Sequence, residues 1–256
     1  MENKLHQLLT SWPSGAVRDV GSLVAGGYSL PLLAQYKKSK WLTSLGSGAV
    51  MRTGDSVELL GGIYALQHDL KLDVHFGERS ALELQGRAHY VRHGNNTSHL
   101  VGSALKLPKW FMTFNWKVSV SYRSSKLFEK GLLLGLVPYQ SQGFSILVSS
   151  PARAMLEYLD VVPKNRTLQE AKLLMEGLVD LRSKDVQALL QASRSIKVNR
   201  LFLLLAEECN HQWMRKLDYS KIKLGVGKRN LTKGGILHKK FQITVPAEIL
   251  SERSEA

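Results

Sequence analysis

The chain has 256 residues, of which 44% are hydrophobic and 22% charged, a composition that suits a globular protein with a real core and excludes disordered or collagen-like chains. Its longest glycine-free apolar run, Leu201–Ala206, falls far short of the ~20 residues a membrane-spanning helix needs. With 35 Lys and Arg against 21 Asp and Glu the net charge is +14, a field that attracts polyanions such as DNA, RNA or an anionic membrane surface.

Leu5, Leu8, Leu9 and Trp12 recur at helical spacing and predict an amphipathic helix, stopped by Pro13 and Ser14-Gly15. A second short helix is expected over about 18–25, with Val20, Leu23 and Val24 turned inward and Gly26-Gly27 ending it. Ser29 caps a third helix running to about Ser39, and Pro31 is tolerated in its first turn. Leu32, Leu33 and Tyr36 make its apolar face; Ala34, Gln35, Lys37 and Lys38 make the other. Trp41–Leu45 and Ala49–Arg52 read as short strands around Gly46-Ser47-Gly48, a β-hairpin. Residues 1–53 therefore read as a winged helix-turn-helix, with a domain boundary near Gly54-Asp55.

Beyond it the pattern predicts a helix from Asp55 to about His68. Strands follow at Val74–Phe76, Ser98–Val101, Phe111–Phe114, Val118–Tyr122 and Phe144–Val148, with a helix at Ser80–Gly86 among them. From Ser150 the pattern turns helical. Pro151 opens one helix with Met155, Leu156 and Leu159 inward, and the capping box Thr167-Leu168-Gln169-Glu170 opens another. Ser183 is expected to cap a third, and Asn199–Cys209 reads as a buried fourth. Phe241–Val245 reads as a strand. The fold class is α+β: a winged helix-turn-helix over 1–53, then a larger mixed α/β domain over 54–256.

The charge is local. Residues 1–53 carry a net of +4, and residues 215–240 carry nine basic residues against Asp218 alone, a net of +8. In a helix-turn-helix the second helix of the motif enters the major groove. Here that helix offers Ser29, Gln35 and Lys38 as base readers, since Gln can bond an adenine edge and Lys can reach guanine acceptors. Lys37, Lys40 and Arg52 suit phosphates, and Ser47, between two glycines, can approach the DNA backbone or minor groove closely. In the C-terminal segment Lys221, Lys223, Lys228, Arg229, Lys233, Lys239 and Lys240 read as a second phosphate-binding surface. The expected partner is double-stranded DNA, with no membrane contact. The same charge fits an RNA-binding or RNA-modifying accessory factor, and a winged helix also serves as a scaffold for protein contacts.

No enzyme signature emerges. His75 and His89 lie near Glu78 and Glu83, but without an HExxH pattern they read as structural histidines. Cys209 and His211 are too few for a structural zinc site, so Cys209 reads as a core thiol and no disulfide can form within the chain. Gly225-Val226-Gly227-Lys228 lacks the Ser or Thr and the upstream glycine of a phosphate loop and reads as a basic turn. Ser149-Ser150-Pro151 has no GxSxG elbow and reads as a helix cap. No catalytic residue, metal or cofactor is expected. The first residues show no basic stretch followed by an apolar one, so the expected location is cytoplasmic.

Several stretches, in this order, resemble the AbiEi family of antitoxins from bacterial type IV toxin–antitoxin systems. They are Asn3–Pro13, Trp41-Leu42 with Gly46-Ser47-Gly48, Ala81–Gly86, Lys106–Phe111, Val148–Ala154 and Lys233-Gly234-Gly235. The resemblance covers nearly the whole chain. It implies a winged-helix N-terminal domain and a larger antitoxin domain, repression of the protein's own operon through inverted repeats, and a place in phage defence. It also implies antagonism of a nucleotidyltransferase toxin without a stable complex. Where the family's wing often carries an aromatic residue, this chain has Ala49-Val50.

Overall fold

The computed structural model describes residues 4–88, 97–141 and 143–250. They fall into two compact units, one drawn from residues 1–75, 95–124 and 138–148, the other from 76–94, 125–137 and 149–256. The fold is α+β. No helix among the described residues is long and apolar enough to cross a membrane.

The first unit opens with α1 (Lys4–Thr10), β1 (Arg18–Asp19), α2 (Val20–Ala25), α3 (Leu30–Lys38), β2 (Leu42–Ser44) and β3 (Ala49–Arg52). Leu8, Trp12, Leu23, Leu33, Tyr36, Leu42 and Val50 form its buried centre. The helix expected from residue 18 begins at Val20, because the Asp19 carboxylate accepts the Ser22 N–H at 2.9 Å and caps it there. That leaves Arg18-Asp19 extended, paired antiparallel with Val50 and Ala49. Val24, expected inside, is 40% exposed. The hairpin has the register Leu42↔Arg52, Thr43↔Met51 and Ser44↔Val50, and the sheet order is β1-β3-β2.

Next comes α4 (Leu59–Tyr64), which continues as a π-helical turn over Ala65–Asp69. It starts four residues later than the apolar pattern suggests, because the Asp55 side chain is turned to the Gly15 N–H, 2.9 Å away. A Cβ on Gly62 would run into the Trp116 and Phe111 rings, so glycine lets α4 lie against this aromatic group. At the end of the π turn, the Asp69 carboxylate accepts from Arg18 Nε at 2.9 Å and from Asp19 N at 2.8 Å, and its carbonyl accepts from Ser22 Oγ at 3.1 Å. Its side chain is 1% exposed.

β4 (Val74–Phe76) follows. The chain enters the second unit for α5 (Glu78–Leu84), returns with β5 (Thr97–Gly102), α6 (Lys109–Thr113) and β6 (Ser119–Ser124), crosses again over 125–137, and continues with β7 (Leu136–Gln140) and β8 (Ser145–Ser149). The sheet order is β6-β5-β4-β8-β7, and β5 and β6 run parallel from Thr97↔Ser119 to Gly102↔Ser124. Residues 111–114, expected as a strand, instead belong to α6 and its end. Pro108 starts the turn, and the adjacent Trp110 and Phe111 are both buried, which an alternating strand does not do. β7 was not anticipated. It contains Pro138, which a sheet tolerates on an edge strand, and β7 is an edge strand.

The second unit is completed by α7 (Pro151–Asp160), α8 (Leu168–Glu176), α9 (Ser183–Ala192), α10 (Ile196–Glu208), β9 (Arg229–Asn230), β10 (Ile236–His238) and β11 (Ile243–Val245). β11 lies between the other two strands, antiparallel to β10 and parallel to β9. Ser150, Thr167 and Ser195 cap α7, α8 and α10 through their hydroxyls. Ser195 is the reason α10 begins before Asn199. Ser183, expected as a cap, is the first residue of α9 and donates to the Trp213 carbonyl at 2.7 Å. Arg153, 4% exposed, meets Glu157 at 2.9 Å and donates to the Leu132 and Leu134 carbonyls, while Glu157 accepts from Ser149 Oγ at 2.7 Å.

The Asp69 cluster generates the first prediction. Asp69→Ala removes the acceptor for two N–H groups and leaves the Arg18 guanidinium without its partner. The expected loss is about 2–3 kcal/mol, the usual cost of stranding buried donors. It should appear as a lower urea midpoint with an unchanged slope. A midpoint equal to that of the wild type would show that α2 does not depend on this contact.

Candidate nucleic-acid interface

α3 is built from local signals. Ser29 Oγ accepts the Leu32 N–H at 3.4 Å, and Pro31 sits in the first turn. Leu33 and Tyr36 face inward and are buried, which turns Leu30, Pro31, Ala34, Gln35, Lys37 and Lys38 to the exposed side. Lys37 and Lys38 lie in the last turn, where the helix dipole favours cations. The helix then closes with paired bonds, Trp41 N to Tyr36 O at 2.9 Å and Lys40 N to Lys37 O at 3.1 Å. This closure puts Lys40 in the left-handed region, φ 57°, a place that normally goes to glycine.

Ser47 is exposed at the wing tip between Gly46 and Gly48, whose φ values of 122° and 108° suit glycine. Arg52 is only partly available. Its Nη1 donates to the Trp12 carbonyl at 3.1 Å, and its Nε lies 3.7 Å from the Asp55 carboxylate. Ser29, Gln35, Lys37, Lys38 and Lys40 thus share one exposed helix side or its ends, whereas Arg52 is drawn inward.

The second basic segment belongs to the other unit. All nine of its Lys and Arg side chains are exposed. Two have carboxylate partners: Lys221 meets Asp218 at 3.0 Å, and Lys240 pairs with Glu207 while lying over the Tyr219 and Phe241 rings. Lys223, Lys228, Arg229, Lys233 and Lys239 have no ion-pair partner among the described residues. Lys228 and Arg229 join Lys197, Asn230, Leu231 and Ile243 around an open recess of about 340 Å³.

Arg200, a residue the sequence did not single out, lies in the same unit. It is 2% exposed and donates to four carbonyls: Leu224 at 2.7 Å, Gly227 at 2.7 Å, Gln242 at 2.8 Å and Gly225 at 3.2 Å. The 224–227 turn is wrapped around this guanidinium, whose partners here are all neutral. Its charge therefore adds to the positive field of the segment it holds.

The residues weighed for catalysis have structural surroundings. His75 is buried, 3.8 Å from the Asp73 carboxylate. Glu78 is buried and bridged to Arg166 at 3.2 Å, and Glu83 to Arg79 at 2.6 Å. His89 lies outside the described residues. Burial, reinforced by the Glu176 carboxylate, pushes the Cys209 thiol up to about 12, so it stays protonated and unreactive at neutral pH. His211 Nε2 donates to the Met175 carbonyl at 2.8 Å, and burial lowers its pKa. Among the described residues no group of three or more His, Cys, Asp or Glu side chains is placed to hold a metal ion.

Three helices, a short antiparallel sheet and a glycine-tipped wing define the start of the chain as a winged helix-turn-helix. Two family models match it: "Transcriptional regulator, AbiEi antitoxin N-terminal domain" over residues 1–93, and "Transcriptional regulator, AbiEi antitoxin, Type IV TA system" over residues 96–246. The chain belongs to this family of antitoxin transcriptional regulators. The RV2827C protein of Mycobacterium tuberculosis shares the fold at 13% identity, with a TM-score of 0.58 over 93% of this chain and 88% of that one. No curated protein matches.

The carbonyl cradle yields a second prediction. Arg200→Met removes the side-chain donor to the Leu224, Gly225 and Gly227 carbonyls and one of two donors to the Gln242 carbonyl, and is expected to cost roughly 1–3 kcal/mol. Arg200→Lys should rescue little, because an ammonium cannot replace the planar fork. Urea titration of both variants tests this, and full rescue by lysine would overturn it.

Proposed function

We propose that this protein represses its own operon by binding operator DNA through residues 1–53, with α3 in the major groove. The observation that carries this reading is α3 itself. Its exposed side and C-terminal end hold Gln35, Lys37, Lys38 and Lys40, and the helix has no acidic residue. Ser29, Gln35 and Lys38 read base edges; Lys37, Lys40 and Ser47 contact the backbone. Arg52 adds a phosphate contact if it leaves the Asp55 carboxylate. Lys221, Lys223, Lys228, Arg229, Lys233, Lys239 and Lys240 supply a second, sequence-independent set of phosphate contacts from residues 54–256. Family membership supports the further step that this larger domain counters a nucleotidyltransferase toxin without holding it in a stable complex.

Two measurements test the DNA contacts. Lys37→Ala with Lys38→Ala is expected to weaken operator binding in a gel-shift titration at fixed salt by roughly tenfold or more, the worth of one or two charged contacts. Unchanged affinity would refute the assigned face. Reversal of charge at Lys228, Arg229, Lys239 and Lys240 should lower affinity and also flatten the dependence of log K on log salt by about one unit per lost phosphate contact. If neither changes, this segment does not touch DNA. Stronger binding to structured RNA than to duplex DNA in the same titrations would favour an RNA-binding role.

A further inference from the structure

The outer face of α3 is not uniformly polar. Leu30, its first residue, is 61% exposed, and Ala34 stands one turn further on, with Lys38 a turn beyond that. Residues at i, i+4 and i+8 form one ridge along a helix, here apolar, apolar and cationic. A single exposed leucine normally needs no explanation. Its position gives this one a meaning. Side chains on a helix lean toward its N-terminus, so Leu30 reaches past the start of α3. That is the end a helix-turn-helix presents to base edges.

We infer that Leu30 is a specificity-determining residue that packs its isobutyl group against the C5-methyl of a thymine in the major groove, with Ala34 beside it. This rests on the reading of α3 as the base-reading helix and adds the identity of one base. Charge complementarity selects the occupant. Lys38 ends the ridge, Lys37 and Lys40 flank it, and the helix has no acidic residue, so the surface suits a polyanion rather than an apolar protein patch. Of the four bases only thymine displays a methyl group in the major groove. A leucine can therefore discriminate there by apolar contact alone, and Gln35 can bond an adenine through its amide.

The test uses the full-length chain. Duplexes are selected from a random-sequence pool, and the selected duplex is resynthesised with each thymine in turn replaced by deoxyuridine, which removes only the methyl. At the contacted position the wild type is expected to bind roughly fourfold more weakly, the worth of one buried methyl-sized group. The salt slope should not move, because no phosphate contact is lost. Leu30→Ala keeps the helix, since alanine is the better helix former. It should bind the thymine duplex as weakly as the wild type binds the uracil one, and no longer distinguish the two. A wild type indifferent to deoxyuridine at every position overturns the inference. So does a Leu30→Ala chain that still discriminates, or one whose weaker binding traces to lost self-association in sedimentation. Failure to select any sequence would instead remove the base-reading assignment of α3 itself.

Discussion

The start of α2, and with it the placement of α3, is tied to one buried carboxylate. Asp69 stands at the end of a π-helical turn, far along the chain from the helix-turn-helix, yet it receives the Arg18 guanidinium and the Asp19 backbone N–H. A carboxylate 1% exposed is costly to bury unless hydrogen-bond donors meet it, as these do. It fixes where the chain leaves β1 and where α2 begins, and Asp19, held by its backbone, is free to cap α2 with its own side chain. A rigid α2 in turn sets the angle at which α3 leaves the Gly26-Gly27 turn. A π turn over 65–69 ends at Asp69, whose side chain and carbonyl both take part in these contacts.

The second unit solves a different problem: how to hold a strongly basic segment in a defined shape. Like charges repel, and a surface run of lysines has no reason to fold by itself. Arg200 answers with a buried cation bonded to carbonyls rather than to a carboxylate. A carboxylate partner would have cancelled the charge locally. Carbonyl partners satisfy the guanidinium's donors and leave the field intact, at the cost of desolvating an uncompensated ion.

How much of this was legible in the chain follows from the range of the interactions. α3 was legible to within a residue, because Ser29, Pro31 and the spacing of Leu33 and Tyr36 all act within one or two turns. The capping box at Thr167 was legible for the same reason. Residues 111–114 were misread because a short aromatic run looks the same in a strand and a buried helical turn, and the deciding signal, Pro108, lies just outside it. β7 was invisible because Pro138 argues against a strand until its edge position is known. Arg200 and Asp69 could not have been found. Their partners lie tens of residues away and are mostly backbone groups, which leave no mark on side-chain patterns. The exposure of Leu30 was available in principle: it lies off the stripe set by Leu33 and Tyr36, although leucine is usually counted as core by default.

Lys40 carries a local signal that the other residues at the end of α3 lack. The closing turn of α3 would be easier with glycine, since a side chain in the left-handed region costs about 1 kcal/mol. Asparagine would also serve, and neither would carry charge. A lysine there spends stability to keep a cation at the end of the helix, next to Lys37 and Lys38 and where the dipole is negative. Strain held at an exposed surface turn fits the phosphate contact proposed for Lys40. The same logic separates Lys40 from Arg52, whose guanidinium is already engaged by Trp12 and Asp55 and which supports the wing before it can touch anything else.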